Sequence, residues 1–233
     1  MRREALPAAG GATLLQLMWL ASPALPVGGF SYSEGLEPAV EAGRVQDEAG
    51  ARDWLLDQLA LGLACCELPM VAQALAAWRA GDLSRVRALN DWLLATRESA
   101  ELRLQAEQMG RSMAEWLKLR PEVPAAAREA LAALPPTYPV AFALALAHGP
   151  ATPHEALLAY GFGWAENAVQ AAVKAVPLGQ SAGQRMLHAL NAQLGALTTR
   201  AADLMDSDIG VSSLGQGIAS ARHEVQYTRL FRS

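Results

Sequence analysis

The acidic residues Glu34 and Glu37 lie three apart at the end of a glycine-containing stretch, Pro26-Val-Gly-Gly-Phe-Ser-Tyr-Ser-Glu-Gly-Leu-Glu37. On a helix that spacing puts both carboxylates on one face. They can then be read as an acid and base or as metal ligands, or else as a cap with a solvated neighbour, Glu34 reaching back within the capping box Ser31-Tyr-Ser-Glu34. The histidines His148, His154, His188 and His223 show neither H-E-x-x-H nor Cys-x-x-Cys companions, so a metal site would have to gather distant residues. There is no G-x-x-x-x-G-K-[ST] loop to cradle a phosphate, and Gly28-Gly-Phe-Ser31 and Gly210-Val-Ser-Ser213 lack the flanking glycine of a G-x-S-x-G elbow. Nucleotide hydrolysis and serine hydrolysis by those routes are excluded. Cys65 and Cys66 are adjacent and on a helix point apart, which rules out a disulfide between them.

Three other features carry more information. Tyr32 stands beside the shaped turn at residues 26–37, which can equally be a plain helix start. Lys174, one of two lysines, is the sole cation between Glu155 and Gly183; it either compensates the dipole of a last helical turn or faces an acidic or nucleotide-bearing partner. The end of the chain, Ala221-Arg-His-Glu-Val-Gln-Tyr-Thr-Arg-Leu-Phe-Arg-Ser233, mixes Arg222, Arg229 and Arg232 with Tyr227, Leu230 and Phe231. Arginine and aromatic residues are enriched at interfaces, so this tail either orders on a partner or packs on its own domain. Residues 139–233 hold only six basic and six acidic side chains, consistent with a denser core there or with a covered surface.

The elements that must position these residues are helical. Alanine and leucine abound, while isoleucine occurs only at Ile209 and Ile218. Leu14–Ala21 reads as a short, deeply buried helix ending before Pro23, and a second helix is expected over about residues 32–42 with its stop at Gly43. Asp47 caps a third carrying Trp54, Leu55, Leu59 and Leu63, Pro69 starts or kinks a fourth ending at Gly81, and Asp82 caps a fifth. A longer helix over about residues 98–119 lays Leu102, Ala106, Met109, Met113 and Trp116 in one buried stripe. Short helices over about 125–134 and 140–148 follow. Thr152-Pro-His-Glu155 then opens a central helix to Val176 with Gly161, Ala165, Ala168 and Ala172 on one face, and a last long helix starts at Ser181. The whole is an all-α fold: one compact body of about ten helices over residues 1–206 and a flexible C-terminal tail over 207–233.

With 233 residues, 52% of them hydrophobic, the chain can bury a large core, and its charge of −4 without a basic run excludes a nucleic-acid surface. Met1-Arg-Arg before the apolar run at residue 14 mimics a signal peptide, but Glu4, Gln16 and Pro23 speak against one. Residues 130–153 lack charge but carry five prolines, which break a membrane span. A cytoplasmic protein without a membrane anchor is expected.

Three motifs in order along the chain resemble the urease accessory protein F (UreF) family: Leu25-Pro-Val-Gly-Gly-Phe-Ser-Tyr-Ser-Glu-Gly-Leu-Glu37, Val173-Lys-Ala-Val-Pro-Leu-Gly-Gln180 and Ser220-Ala-Arg-His-Glu-Val-Gln-Tyr-Thr-Arg-Leu-Phe-Arg232. The resemblance implies an all-α homodimer that is not an enzyme and holds no tightly bound cofactor. It implies an adaptor between the accessory protein UreD/UreH and the nickel-carrying GTPase UreG, one that helps nickel reach apo-urease and bears on GTP hydrolysis. By the same resemblance, Tyr32 and Arg222 position the tail, and Lys174 lies near the GTPase-facing surface. The tail docks the UreD/UreH partner, and the expected contact residues are Tyr32, Glu34, Lys174, Arg222, His223, Glu224, Tyr227, Arg229, Leu230 and Phe231. Two other readings stand beside it: a nickel-binding metallochaperone in its own right, and an all-α enzyme using Glu34 and Glu37.

Overall fold

The structure, a computed structural model, describes residues 10–210 and 213–232; Met1-Arg-Arg, Glu4 and part of the Gly210–Ser213 cluster lie outside them. Eleven α-helices and no strand occur among the described residues. Their order is α1 (Gly11–Ala21), α2 (Leu36–Glu41), α3 (Glu48–Asp57), α4 (Leu68–Ala80), α5 (Leu83–Thr96), α6 (Ala100–Leu117), α7 (Ala125–Ala132), α8 (Tyr138–Ala147), α9 (Pro153–Ala175), α10 (Gln180–Ala202) and α11 (Leu214–His223). A π-helical segment, Gln58–Glu67, joins α3 to α4 without a break, and Pro69 begins the α-helical winding again. The resulting helix, Glu48–Ala80, is the one described element long and apolar enough to cross a membrane, yet 56% of its apolar window is buried within the fold.

The expected stops hold because each has its chemistry. Asp47, Asp82 and Ser99 accept the early amides of Gly50, Arg85 and Leu102, and Thr152 with Glu155 closes the capping box of α9. Gly43 and Gly81 take the left-handed conformation where their helices end.

Helix α8 lies in the middle. It is apolar on every side, with Val140, Phe142, Leu144 and Leu146 fully buried against α4 and α6. Its two ends are held by side chains from neighbours. At the start, buried Asn90 donates to Pro135 O at 3.0 Å and accepts from Thr137 N at 2.8 Å, which supplies partners where the prolines cannot. At the far end, Arg79 donates to the carbonyls of Leu146, Ala147, Gly149 and Ala151, a cation on a helix C-terminus. Helix α9 packs along α10, with Gly161 against Leu194, whose methyl lies 2.5 Å from where a Cβ would stand.

Two expectations change. Helix α1 is not deeply buried: it lies on α9 by Leu17, Leu20 and Ala21, and Leu14, Leu15, Met18 and Trp19 face outward. Beyond α9, α1 is held by Gln16, which donates to Ala145 O of α8 at 3.0 Å, and by Trp19, whose ring meets Trp116 of α6 edge-on at 5.3 Å; the rest of that face stays open. The second helix starts at Leu36, four residues late, because Glu34 and Gly35 are both left-handed and interrupt the α-helical winding.

Helix α6 crosses the Pro135–Thr137 link at Gly110, where a Cβ would overlap the Pro136 carbonyl. Gly110→Ala is therefore expected to lower unfolding free energy by about 1–3 kcal/mol despite alanine's better helix propensity, as measured by urea titration followed by far-ultraviolet circular dichroism.

Candidate functional site

The glycine-rich turn at residues 26–37 organises two separate polar clusters. Gly28 (φ +78°), Glu34 (φ +53°) and Gly35 (φ +85°) reverse the chain twice around a short 3-10 turn, Gly29–Ser31. The expected capping box therefore does not form. Glu34 and Glu37 also do not act as a pair: one points to an interior cavity and the other to the C-terminal tail.

Glu37 lies in the first turn of α2 and is buried. Its carboxylate accepts from the backbone amides of Leu230 (2.7 Å) and Phe231 (3.0 Å), from Gln226 Nε2 (3.4 Å), and faces His223 Nε2 at 3.2 Å. His223 is fully buried, and its Nδ1 lies 2.7 Å from Glu101 in the first turn of α6. Glu101 also receives Arg229 at 2.8 Å, and Arg229 donates onward to Gln226 O and Glu224 O. Glu224 accepts from Ala100 N at 2.8 Å, and Ser220 bonds Ser99 at 2.6 Å in the interior. Arg232 N closes the set on Ser31 O at 2.9 Å. Charge-assisted bonds of this kind, shielded from water, are the strong ones.

The second cluster surrounds a cavity of about 80 Å³. Glu34 accepts from Gln105 Nε2 (2.6 Å) and Trp164 Nε1 (3.0 Å). Across the cavity, Glu67 binds Arg97 at 2.7 Å and Tyr160 Oη at 2.5 Å. Burial, and then the Glu67 charge, raise the Glu34 pKa, and the same two causes raise that of Tyr160. Burial works against the Arg97 cation, but Glu67, Cys66 and Tyr160 together raise its pKa above the ordinary value. The Arg97 Nε is buried without a partner. Cys66 also lines the cavity, and burial pushes its thiol up to about 12. No group of three or more His, Cys, Asp or Glu able to hold a metal occurs among the described residues.

The sequence-derived contact residues fall into two sets. Tyr32, His223 and Phe231 are buried: they hold the tail rather than face outward. Tyr32 donates to Gln108 at 2.8 Å and lies beside Arg232, because the tail turns back after His223 and brings its last arginine over the phenol. Glu34 has both oxygens engaged by interior donors. Lys174, Arg222, Glu224, Tyr227, Arg229 and Leu230 are exposed, Lys174 in the last turn of α9. Sequence reasoning missed Glu101, Glu67, Arg97 and Tyr160. Residue type alone does not single them out, and it does not reveal partners 30 to 128 positions away.

A family model described as UreF matches residues 45–191. A urease accessory protein UreF from Methylibium petroleiphilum is 66% identical over all of this chain and 99% of its own length. The chain belongs to the UreF family. Proteins of the same name from Paracidovorax citrulli and Cupriavidus necator are 60% and 48% identical, covering 99% and 94% of this chain and 92% and 97% of their own. In this UreF chain the Glu37–His223 clamp uses the first and third of the motifs that carried the resemblance, and Lys174 stands on the second.

The raised Glu34 pKa has a consequence for stability. The folded chain holds a proton on Glu34 above the ordinary value of 4.5, where the unfolded chain releases it, so this group's contribution declines as pH rises from about 4.5 through the folded value. Glu34→Gln is expected to flatten that decline, seen as a smaller difference between the variant's urea midpoints at about pH 5 and about pH 7 than in the parent chain.

Proposed function

We propose that this urease accessory protein is a non-enzymatic adaptor in nickel insertion, joining UreD/UreH to the GTPase UreG and bearing on GTP hydrolysis within the assembly. The observation that carries the reading is the form of the tail. Its backbone is clamped by Glu37 while Val225, Tyr227 and Leu230 are 84%, 103% and 69% exposed. A segment held by its backbone that turns large apolar side chains outward offers anchors at a reduced ordering cost at the moment of binding. Residues 207–233 are the UreD/UreH-binding tail in this reading, with Arg222, Glu224 and Arg229 at its polar rim. Lys174, an exposed cation in the charge-poor half, faces UreG. Nickel is handled by the assembly rather than held tightly by this chain, which acts as a cytoplasmic homodimer and reaches apo-urease through the complex.

Size-exclusion chromatography with light scattering, on mixtures with UreD/UreH and UreG, tests the adaptor role. The full-length chain is expected to form a complex that a truncation before Arg222 does not. Tyr227→Ala with Leu230→Ala is expected to weaken UreD/UreH binding by about tenfold or more, the loss of a hot spot worth over 1.4 kcal/mol, while leaving helicity unchanged. A complex of full strength with the truncated chain overturns the assignment of the tail.

A further inference from the structure

Helix α11 does more than lead to the tail. Its Gln216 lines the interior cavity, together with Glu34, Glu67, Arg97 and Cys66. The body makes room for it with glycines. A Cβ on Gly35 would stand 3.1 Å from Gln216 O and 3.2 Å from Ser220 N, one on Gly62 would stand 3.3 Å from Gln216 Oε1, and one on Gly217 itself 3.0 Å from Glu98. These three positions, on the residue before α2, in the π-helical segment and on α11, let the helix seat directly over the cavity. Nothing apolar and bulky anchors that half of α11: Leu214 and Ile218 are 81% and 53% exposed. What holds it is polar and sits at its far end, in the Ser220–Ser99 bond, the His223 bonds to Glu37 and Glu101, and the Glu37 bonds to the tail amides.

We infer that α11 is a lid on the Glu34–Glu67–Arg97 cavity and that Glu37 and His223 are its latch. A lid with little apolar burial and a latch of a few buried bonds opens locally, at a lower cost than unfolding the body. Glu37 is the positioning residue: it touches α11 through His223 and the tail backbone through Leu230 and Phe231, while Glu101 beside it joins His223 to the Arg229 side chain. Whatever draws the tail from Glu37 uncovers the cavity. The inference stands on the geometry of the free chain and does not depend on the adaptor reading.

Cys66 reports the opening, since it is 2% exposed and lines the cavity. In a Cys65→Ser background, modification of Cys66 by a small disulfide reagent such as dithionitrobenzoate is expected to be slow. Glu37→Ala is expected to accelerate it at least tenfold, with a rate that does not change as urea is raised below the unfolding transition. Arg229→Ala, a milder change at an exposed residue that removes the outer support of Glu101 and two bonds to the tail carbonyls of Glu224 and Gln226, is expected to accelerate it by a smaller factor and decides the matter if Glu37→Ala does not fold. Rapid modification in the Cys65→Ser parent, whose latch is intact, unchanged rates in the variant that folds, or acceleration that climbs with urea as global unfolding does would each overturn the lid.

Discussion

A buried carboxylate at residue 37 is the constraint on which the end of this molecule depends. A carboxyl group away from water is costly unless its hydrogen-bonding positions are filled. The tail supplies the partners: two successive backbone amides, an amide side chain and an imidazole. The dependence is mutual, because the amides of Leu230 and Phe231 would otherwise lose their acceptor as Phe231 is buried. One side chain thus ties the third sequence motif to the first across 193 positions.

The same turn that aims Glu37 at the tail aims Glu34 the other way. Three left-handed residues, two of them glycines, allow carboxylates three apart in sequence to serve different networks. Glu34 meets Gln105 and Trp164 above a cavity already occupied by the Glu67–Arg97–Tyr160 group. That interior charge is balanced within itself, and its cost is borne by the apolar framework around α8, where nearly every side chain is out of contact with water. The polar clusters are placed accurately because the helices that carry them are fixed at both ends by caps, by Asn90 and by Arg79.

Membership of the UreF family sets the geometry in the context of a urease accessory protein. The outward residues of the tail and of α1 are large and apolar, while the polar chemistry is turned inward and used for holding shape. An accessory protein of urease is expected to meet other chains, and the clamp explains how a terminal segment can present side chains without being loose.

Sequence alone determined the helical class, most helix boundaries and the motifs that identify the family. Those properties are local: a cap needs its own third or fourth neighbour, a stop needs a glycine, and the stripe on α6 or α9 needs only a period of 3.6 residues. The tail's residues were legible as contact-formers from their types. Their division into those that hold and those that face outward was not, because burial depends on what the chain returns to. Tertiary structure decided that Glu37 and Glu101 meet His223, that Arg97 meets Glu67, and that α1 keeps one face open. It also moved the start of α2, since a capping box and a pair of left-handed residues compete for the same stretch, and the close seat of α11 over Gly35 favours the second. Interactions between residues over a hundred positions apart leave no periodic trace in a single sequence, and only the packing of the helices brings them within bonding distance.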